Sequence, residues 1–220
     1  MTQKSKAHIR YRNSNGKVIK GVSTVIDSVL AKPALVKWAN NLGLQGIDST
    51  KFRDEMANIG TLAHHLVMSQ LTGTGKESID VFMSDYSPNM WESAGNALKS
   101  FNNWMAQHEV ELILAETPLI SERYQYGGTI DLYATVDGVS TLVDFKTGSG
   151  IYKEARYQVA AYKNLLEENG YEVRQTRILK IGRTADEDFQ DIVPACNEKH
   201  WRVFEHCLEI YELEKELARK

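Results

Sequence analysis

The sequence predicts an α/β fold: a central mixed β-sheet flanked by helices, with an N-terminal helical portion. Three observations predict it. The first half is dominated by segments whose apolar residues recur at the helical period. From residue 111 the pattern changes to short apolar runs around a strong Asp-Gly turn. Amphipathic helices then return on both sides of a further strand, the order expected of a strand-rich core with helices packed on it. The 220 residues suit one domain, residues 1–220. Within it, 1–110 form a hairpin and helical portion and 111–220 an α/β core.

Each element follows from local chemistry. "HIRYRNSNGKVIKGVSTVI" reads as strand, turn, strand, because Asn15-Gly16 tolerates positive φ. Asp27 to Leu42 reads as helical, with Pro33 confined to a first turn or a break. In Phe52–Leu71 the side chains of Met56, Ile59, Ala63, Leu66 and Val67 share one helix face. Thr72 to Pro88 is rich in Gly, Ser and Thr and reads as a loop. Met90 to His108 is helical again, with Ala94, Leu98, Phe101 and Met105 on one stripe. Glu111 to Leu119 reads as a strand, and Gly128 to Lys146 as a hairpin turning at Asp137-Gly138. Tyr152 to Asn169 is a helix stopped by Gly170. Val173 to Ile181 is a strand, and Glu198 to Leu217 a helix with Trp201, Phe204, Leu208 and Tyr211 inward.

Composition narrows the function. With 42% hydrophobic and 25% charged residues the chain is ordinary for a globular protein. No apolar run is long enough to span a bilayer, and no signal peptide is evident, so the expected compartment is the cytoplasm. Two cysteines, Cys196 and Cys207, cannot build a disulfide framework or a metal–sulfur quartet. The net charge of −3 excludes a globally basic nucleic-acid binder. One local basic stretch remains, with Lys4, Lys6, Arg10, Arg12, Lys17 and Lys20. It is either a phosphate-contacting surface or a hairpin edge charged against aggregation.

The chemistry is concentrated in "GGTIDLYATVDGVSTLVDFKTG", residues 127–148. Counting outward from a two-residue turn at Asp137-Gly138 sets Asp131 opposite Asp144. Alternation then puts Ile130, Leu132, Val143 and Phe145 on one face, and Asp131, Asp144 and Lys146 on the other. Opposed carboxylates repel. Partly desolvated, they need a shared proton or a cation to stay together. Oxygen ligands favour Mg²⁺ or Mn²⁺ over zinc. The alternative is a pair of acids pointing into solvent at a sheet edge. A cation held by Asp131 and Asp144 suits phosphodiester hydrolysis. Lys146 would orient water, stabilise developing charge, or accept a proton if its pKa falls.

The strand-acid, strand-"DFKTG" arrangement resembles the PD-(D/E)xK nuclease superfamily, and more closely its RecB-like exonuclease branch, which includes many bacteriophage nucleases. "IGTLAHHL" is similar to that branch's Gly-x-x-x-His motif, with Gly60 and His64 in place. "RYQVAAY" is similar to its Gln-x-x-x-Tyr motif, with Gln158 and Tyr162. "AETPL" supplies Glu116 just before the hairpin. The likeness covers about residues 55 to 165. Each motif is short; their order and spacing together are specific.

The resemblance implies a restriction-endonuclease-like sheet and a metal-dependent DNA exonuclease acting in phage or prophage DNA recombination, replication or repair. Endonuclease action on the same core, and nucleic-acid binding without cleavage, are the alternatives. The implied metal ligands are His64, Asp131 and Asp144, with Glu116 as a fourth and the Phe145 carbonyl as a backbone ligand. Lys146 is the implied catalytic lysine. Gln158 and Tyr162 support the site or bind substrate, and Arg156, close by, is placed to contact phosphate. His64 lies on the flank of the apolar stripe, so a core-edge histidine is the plain alternative; His65 projects away from the stripe. No ATPase motif is present, so processivity would come from the fold, a homo-oligomer or a partner protein.

Overall fold

The computed structural model describes residues 10–73, 86–184 and 187–219. In chain order the elements are β1 (Lys20–Gly21), α1 (Val22–Val29), α2 (Pro33–Leu44), α3 (Ser49–Thr72), α4 (Pro88–Met105), β2 (Val110–Ser121), β3 (Tyr126–Val136), β4 (Val139–Lys146), α5 (Lys153–Glu168), β5 (Gln175–Lys180), β6 (Gln190–Ile192) and α6 (Glu198–Leu217). The strands form one six-stranded mixed sheet in the order β1-β3-β4-β5-β6, with β2 also on β3. Helices cover both faces. One apolar cluster joins Val22 and Ile26 of α1, Val159 and Leu165 of α5 and Phe204 of α6 to the sheet. The other joins Leu62 and Val67 of α3 and Ala97 and Phe101 of α4 to the opposite face. The mixed α/β sandwich expected from the sequence is therefore present.

Local signals fix several ends. Asp48 caps α3 by accepting from Thr50 N and Lys51 N, and Gly73 closes it in the left-handed conformation. Asn197 and His200 form a capping box on α6. Asp137 and Gly138 both have positive φ, as a two-residue hairpin turn of this twist requires. The segment 74–85, most of the expected loop after α3, lies outside the described residues, as do Lys4 and Lys6.

Two expectations need correction. The N-terminal "VSTVI" is helix α1, not a second hairpin strand; among the described residues a single bridge, Arg12 with Val18, marks the expected pairing. Its β-branched residues Val22, Val25 and Ile26 fall at helical spacing and are buried, and this tertiary burial overrides their strand preference. Pro33 takes the first-turn position expected of it, starting α2 and separating it from α1. A short edge strand, β6, pairs antiparallel with β5 and was not expected. The basic stretch is also partly spent within the fold: Lys20 pairs with Glu212 of α6, and Arg12 Nη1 donates to the Gly16 carbonyl at 2.7 Å.

The sheet forks at β3. β2 occupies one edge along the length of β3. On the other edge, β1 pairs with Tyr126 and Gly127, while β4 pairs only from Leu132↔Val143 to Val136↔Val139. Between them β3 and β4 part, and Asp131 sits at the point of divergence.

Candidate active site

The fork explains why the acids are where they are. The β3–β4 ladder keeps the register counted from the turn but stops one pair short of Asp131 and Asp144. The amide of Phe145 instead donates to Asp131 Oδ2 at 3.0 Å, so a carboxylate replaces a strand carbonyl as acceptor. Strict alternation also breaks here. Leu132, Val143 and Phe145 pack with α3 and α4, but Ile130 packs on the opposite face with α1, α5 and α6. The expected single apolar face of the hairpin is thus wrong at Ile130. Across the sheet, the β2–β3 register sets Glu116 level with Asp131. Glu116 has φ +43°, a left-handed conformation that bends β2 at the same level.

Around Asp131 the expected residues gather from three elements. His64 of α3 places Nε2 3.6 Å from Asp131 Oδ2 and 3.4 Å from the Phe145 carbonyl oxygen. Its ring meets the Phe145 ring edge-on, with centroids 5.8 Å apart. Helix α3 can approach this closely because of Gly60: a Cβ there would lie 2.8 Å from Thr147 Oγ1. Gly60 therefore makes room for Thr147, the residue after Lys146.

Asp144 is 1% exposed, and its Oδ2 lies 2.6 Å from Lys146 Nζ. At that distance the Lys146 ammonium serves Asp144 Oδ2 as a charge-assisted partner, and Oδ1 is buried with no hydrogen-bond donor among the described residues. Burial pushes the Asp144 carboxyl up to about 6, Lys146 opposing the rise and Asp131 adding to it. Burial draws the Lys146 ammonium down, but Asp144 and Asp131 more than compensate and hold it above the usual lysine value. Beside the two carboxylates the ammonium form of Lys146 is favoured.

On the other side of the sheet, Gln158 Nε2 donates to Tyr162 Oη at 2.7 Å. Burial, then the charges of Asp131 and Asp144, push the Tyr162 phenol well above its ordinary value, so it keeps its proton beside the acids. Gly128 makes this placement possible. A Cβ on Gly128 would lie 2.6 Å from Tyr162 Cε1 and 3.0 Å from Leu165 Cδ1, both in the buried core. Gly128→Ala is expected to lower stability by about 1–3 kcal/mol, as overpacking does. Urea denaturation measures this, and an unchanged midpoint would mean that Tyr162 is free to move.

Not every expected residue joins the cluster. Arg156 donates to the Ala195 carbonyl at 2.9 Å and ties α5 to the segment before α6. Glu116 is level with Asp131 but exposed. Among the described residues, no three His, Cys, Asp or Glu side chains are already gathered at metal-binding distance. The donor types nonetheless suit a hard divalent cation: two carboxylates, a carbonyl and an imidazole, with Asp144 Oδ1 buried and lacking a donor among the described residues. Alongside lies an open groove of about 580 Å³ bordered by Arg53, Met56, Gly60, His64, Lys146 and Arg183. Met56 was expected on the apolar face of this helix, and Arg53 and Arg183 carried no sequence signal; the packing of α3 against the strand ends brings all three here.

Comparison with known proteins adds the fold. No family model matches the chain, and no curated protein matches it in sequence. The crystal structure of a protein from Eubacterium rectale named "Putative exonuclease" superimposes with a TM-score of 0.52 at 14% identity. The match covers 71% of this chain and 65% of that one, so it spans less than two thirds of the neighbour. At that identity the likeness is one of fold. A second structure, SSO0001, matches with a TM-score of 0.35 at 11% identity over 69% of this chain and 71% of that one, too distant to support a statement. Among the described residues no helix is long and apolar enough to cross a membrane.

Proposed function

We propose that the chain is a metal-dependent DNA nuclease, and within that class an exonuclease. The single observation that carries the reading is the fork at β3 and β4: Asp131 and the buried Asp144 come together there beside the Lys146 ammonium, with His64 over the Phe145 carbonyl. The fold shared with a protein named as an exonuclease supports the same class. Asp131, Asp144 and His64, with the Phe145 carbonyl and Glu116, would hold Mg²⁺ or Mn²⁺. Bound there, the cation would polarise a phosphodiester and lower the pKa of water.

The chain's own groups do the rest. The Lys146 ammonium donates hydrogen bonds to phosphate oxygens and stabilises charge that develops on them. The Tyr162 phenol, oriented by Gln158, remains a proton-bearing dipole beside the acids. The groove along α3 receives the strand next to the bond that is cut. In this reading residues 1–220 act as one nuclease unit on DNA in the cytoplasm. Processivity comes from self-association or a partner, and the motif resemblance supports phage or prophage DNA recombination, replication or repair.

The test uses end-labelled linear DNA and circular single-stranded DNA, with Mn²⁺ or with EDTA. Nucleotide release from linear DNA alone, only with Mn²⁺, is the expected result. Cutting of the circle would make the enzyme an endonuclease. DNA binding without cleavage would reduce it to a binding module, and neither binding nor cleavage would overturn the reading.

A further inference from the structure

The inference concerns Lys180 and rests on the nuclease reading above. Lys180 ends β5 in the run "RILK" and is only 3% exposed. Its register partner is Lys146 in the parallel β4–β5 ladder. Partners in such a ladder direct their side chains to the same face, with strands about 4.8 Å apart. The two lysines therefore stand side by side, yet their surroundings differ. Lys146 has Asp144 at 2.6 Å. Among the described residues no carboxylate lies within ion-pair distance of Lys180, whose ammonium donates to the Ser149 carbonyl at 3.4 Å. Glu187 feels the Lys180 charge, but it is committed to Arg183 by contacts of 2.6 and 3.2 Å.

An ammonium has three donors, and among the described residues Lys180 makes one long bond to a carbonyl and meets no carboxylate at ion-pair distance. Burying it so is costly, and a methionine would fill the same space without that cost. Ser149 lies in "TGSG", the turn that directly follows Lys146. The second cation is thus held under the turn that follows the site lysine. We propose that Lys180 is a substrate-binding residue that contacts a backbone phosphate of the DNA strand adjoining the phosphodiester cut beside Lys146.

The rival role is structural, a clamp that merely pins Ser149. The two separate in the salt dependence of binding, because each phosphate contact contributes about 0.7–0.9 to the slope of log K against log salt. Full-length wild type, Lys180→Met and Lys180→Arg are titrated with a fluorescent single-stranded and a duplex oligonucleotide in EDTA, at several KCl concentrations. The expected result is several-fold weaker binding by Lys180→Met, a slope smaller by about 0.7–0.9, recovery in Lys180→Arg, and an unchanged or higher urea midpoint. An unchanged slope, with or without loss of stability, would overturn the proposal. Should Lys180→Met fail to fold, ¹⁵N-lysine spectra of the wild type answer the question, with the signal assigned through Lys180→Arg. A shift of the Lys180 ammonium on adding the oligonucleotide supports the contact, and no shift refutes it. Wild-type cleavage of linear DNA is measured in parallel. Wild type that cleaves while Lys180→Met keeps its slope removes Lys180 alone, whereas wild type that neither binds nor cleaves removes the nuclease reading itself.

Discussion

Asp144→Asn is expected to abolish cleavage and, in the absence of metal, to make the protein more stable above pH 6. The activity loss follows from removing one of two carboxylates at the fork, and should reach roughly 10²–10³-fold or more. The stability gain follows from burial. The Asp144 carboxyl rises from 3.8 to about 6 on folding. The folded state therefore binds this proton more tightly than the unfolded state does. Asp144 costs nothing below about pH 4; metal-free stability falls as pH rises from there through about 6, and the penalty is complete above it. A shift of that size corresponds to roughly 3 kcal/mol. Part of the gain in the Asn variant is lost because Lys146 gives up its partner, though its side chain keeps 28% exposure and some hydration. A net gain of roughly 1–3 kcal/mol at pH 8, and none at pH 4, is the expected outcome in urea titrations with EDTA. Added Mn²⁺ should then stabilise wild type by mass action and leave Asp144→Asn unmoved. A variant less stable than wild type at pH 8 would show that Asp144 serves the fold and not a cation.

Much of this site was legible in the sequence because its decisive signals are local. Asp137-Gly138 dictates the turn, the turn dictates the β3–β4 register, and the register brings Asp131 level with Asp144. Gly60 and His64, and Gln158 and Tyr162, lie one helical turn apart, so each pair had to share a face. What escaped depends on contacts between distant segments. Strict alternation put Ile130 with Leu132, but β3 parts from β4 between those residues and meets β1 at Tyr126 and Gly127, and no local pattern encodes that change of neighbour. The α1 segment has strand-forming residues and becomes a helix because α5 and α6 bury its Val22–Ile26 face. Arg156 lay two residues before Gln158, but the Ala195 carbonyl claims it. Lys180 carried one readable sign, a lysine closing the apolar strand "RILK". Only the β4–β5 pairing sets it beside Lys146.

Lys146→Met is expected to lower cleavage by roughly 10²–10⁴-fold while DNA binding at low salt stays within a few-fold of wild type. Asp144 and Asp131 favour the charged form of Lys146, and in the proposed mechanism it stays an ammonium through the neutral range. The wild-type pH profile should then show no inflection from lysine between about pH 6 and 9. An inflection of that kind, absent from Lys146→Arg, would restore a proton-accepting role. Two contributions of the ammonium can be separated by pH. Lys146 is the cation that opposes the rise of the Asp144 carboxyl. Without it the carboxyl moves further up and is more protonated at pH 7, so Mn²⁺ binding should weaken there and recover by pH 9. Charge stabilisation at the phosphate cannot recover, because methionine has no donor. Cleavage that stays low at pH 9 while Mn²⁺ binding returns places Lys146 at the reacting phosphate. Cleavage that returns with the metal makes it a positioning residue acting through Asp144, and wild-type rates at every pH would remove it from the mechanism.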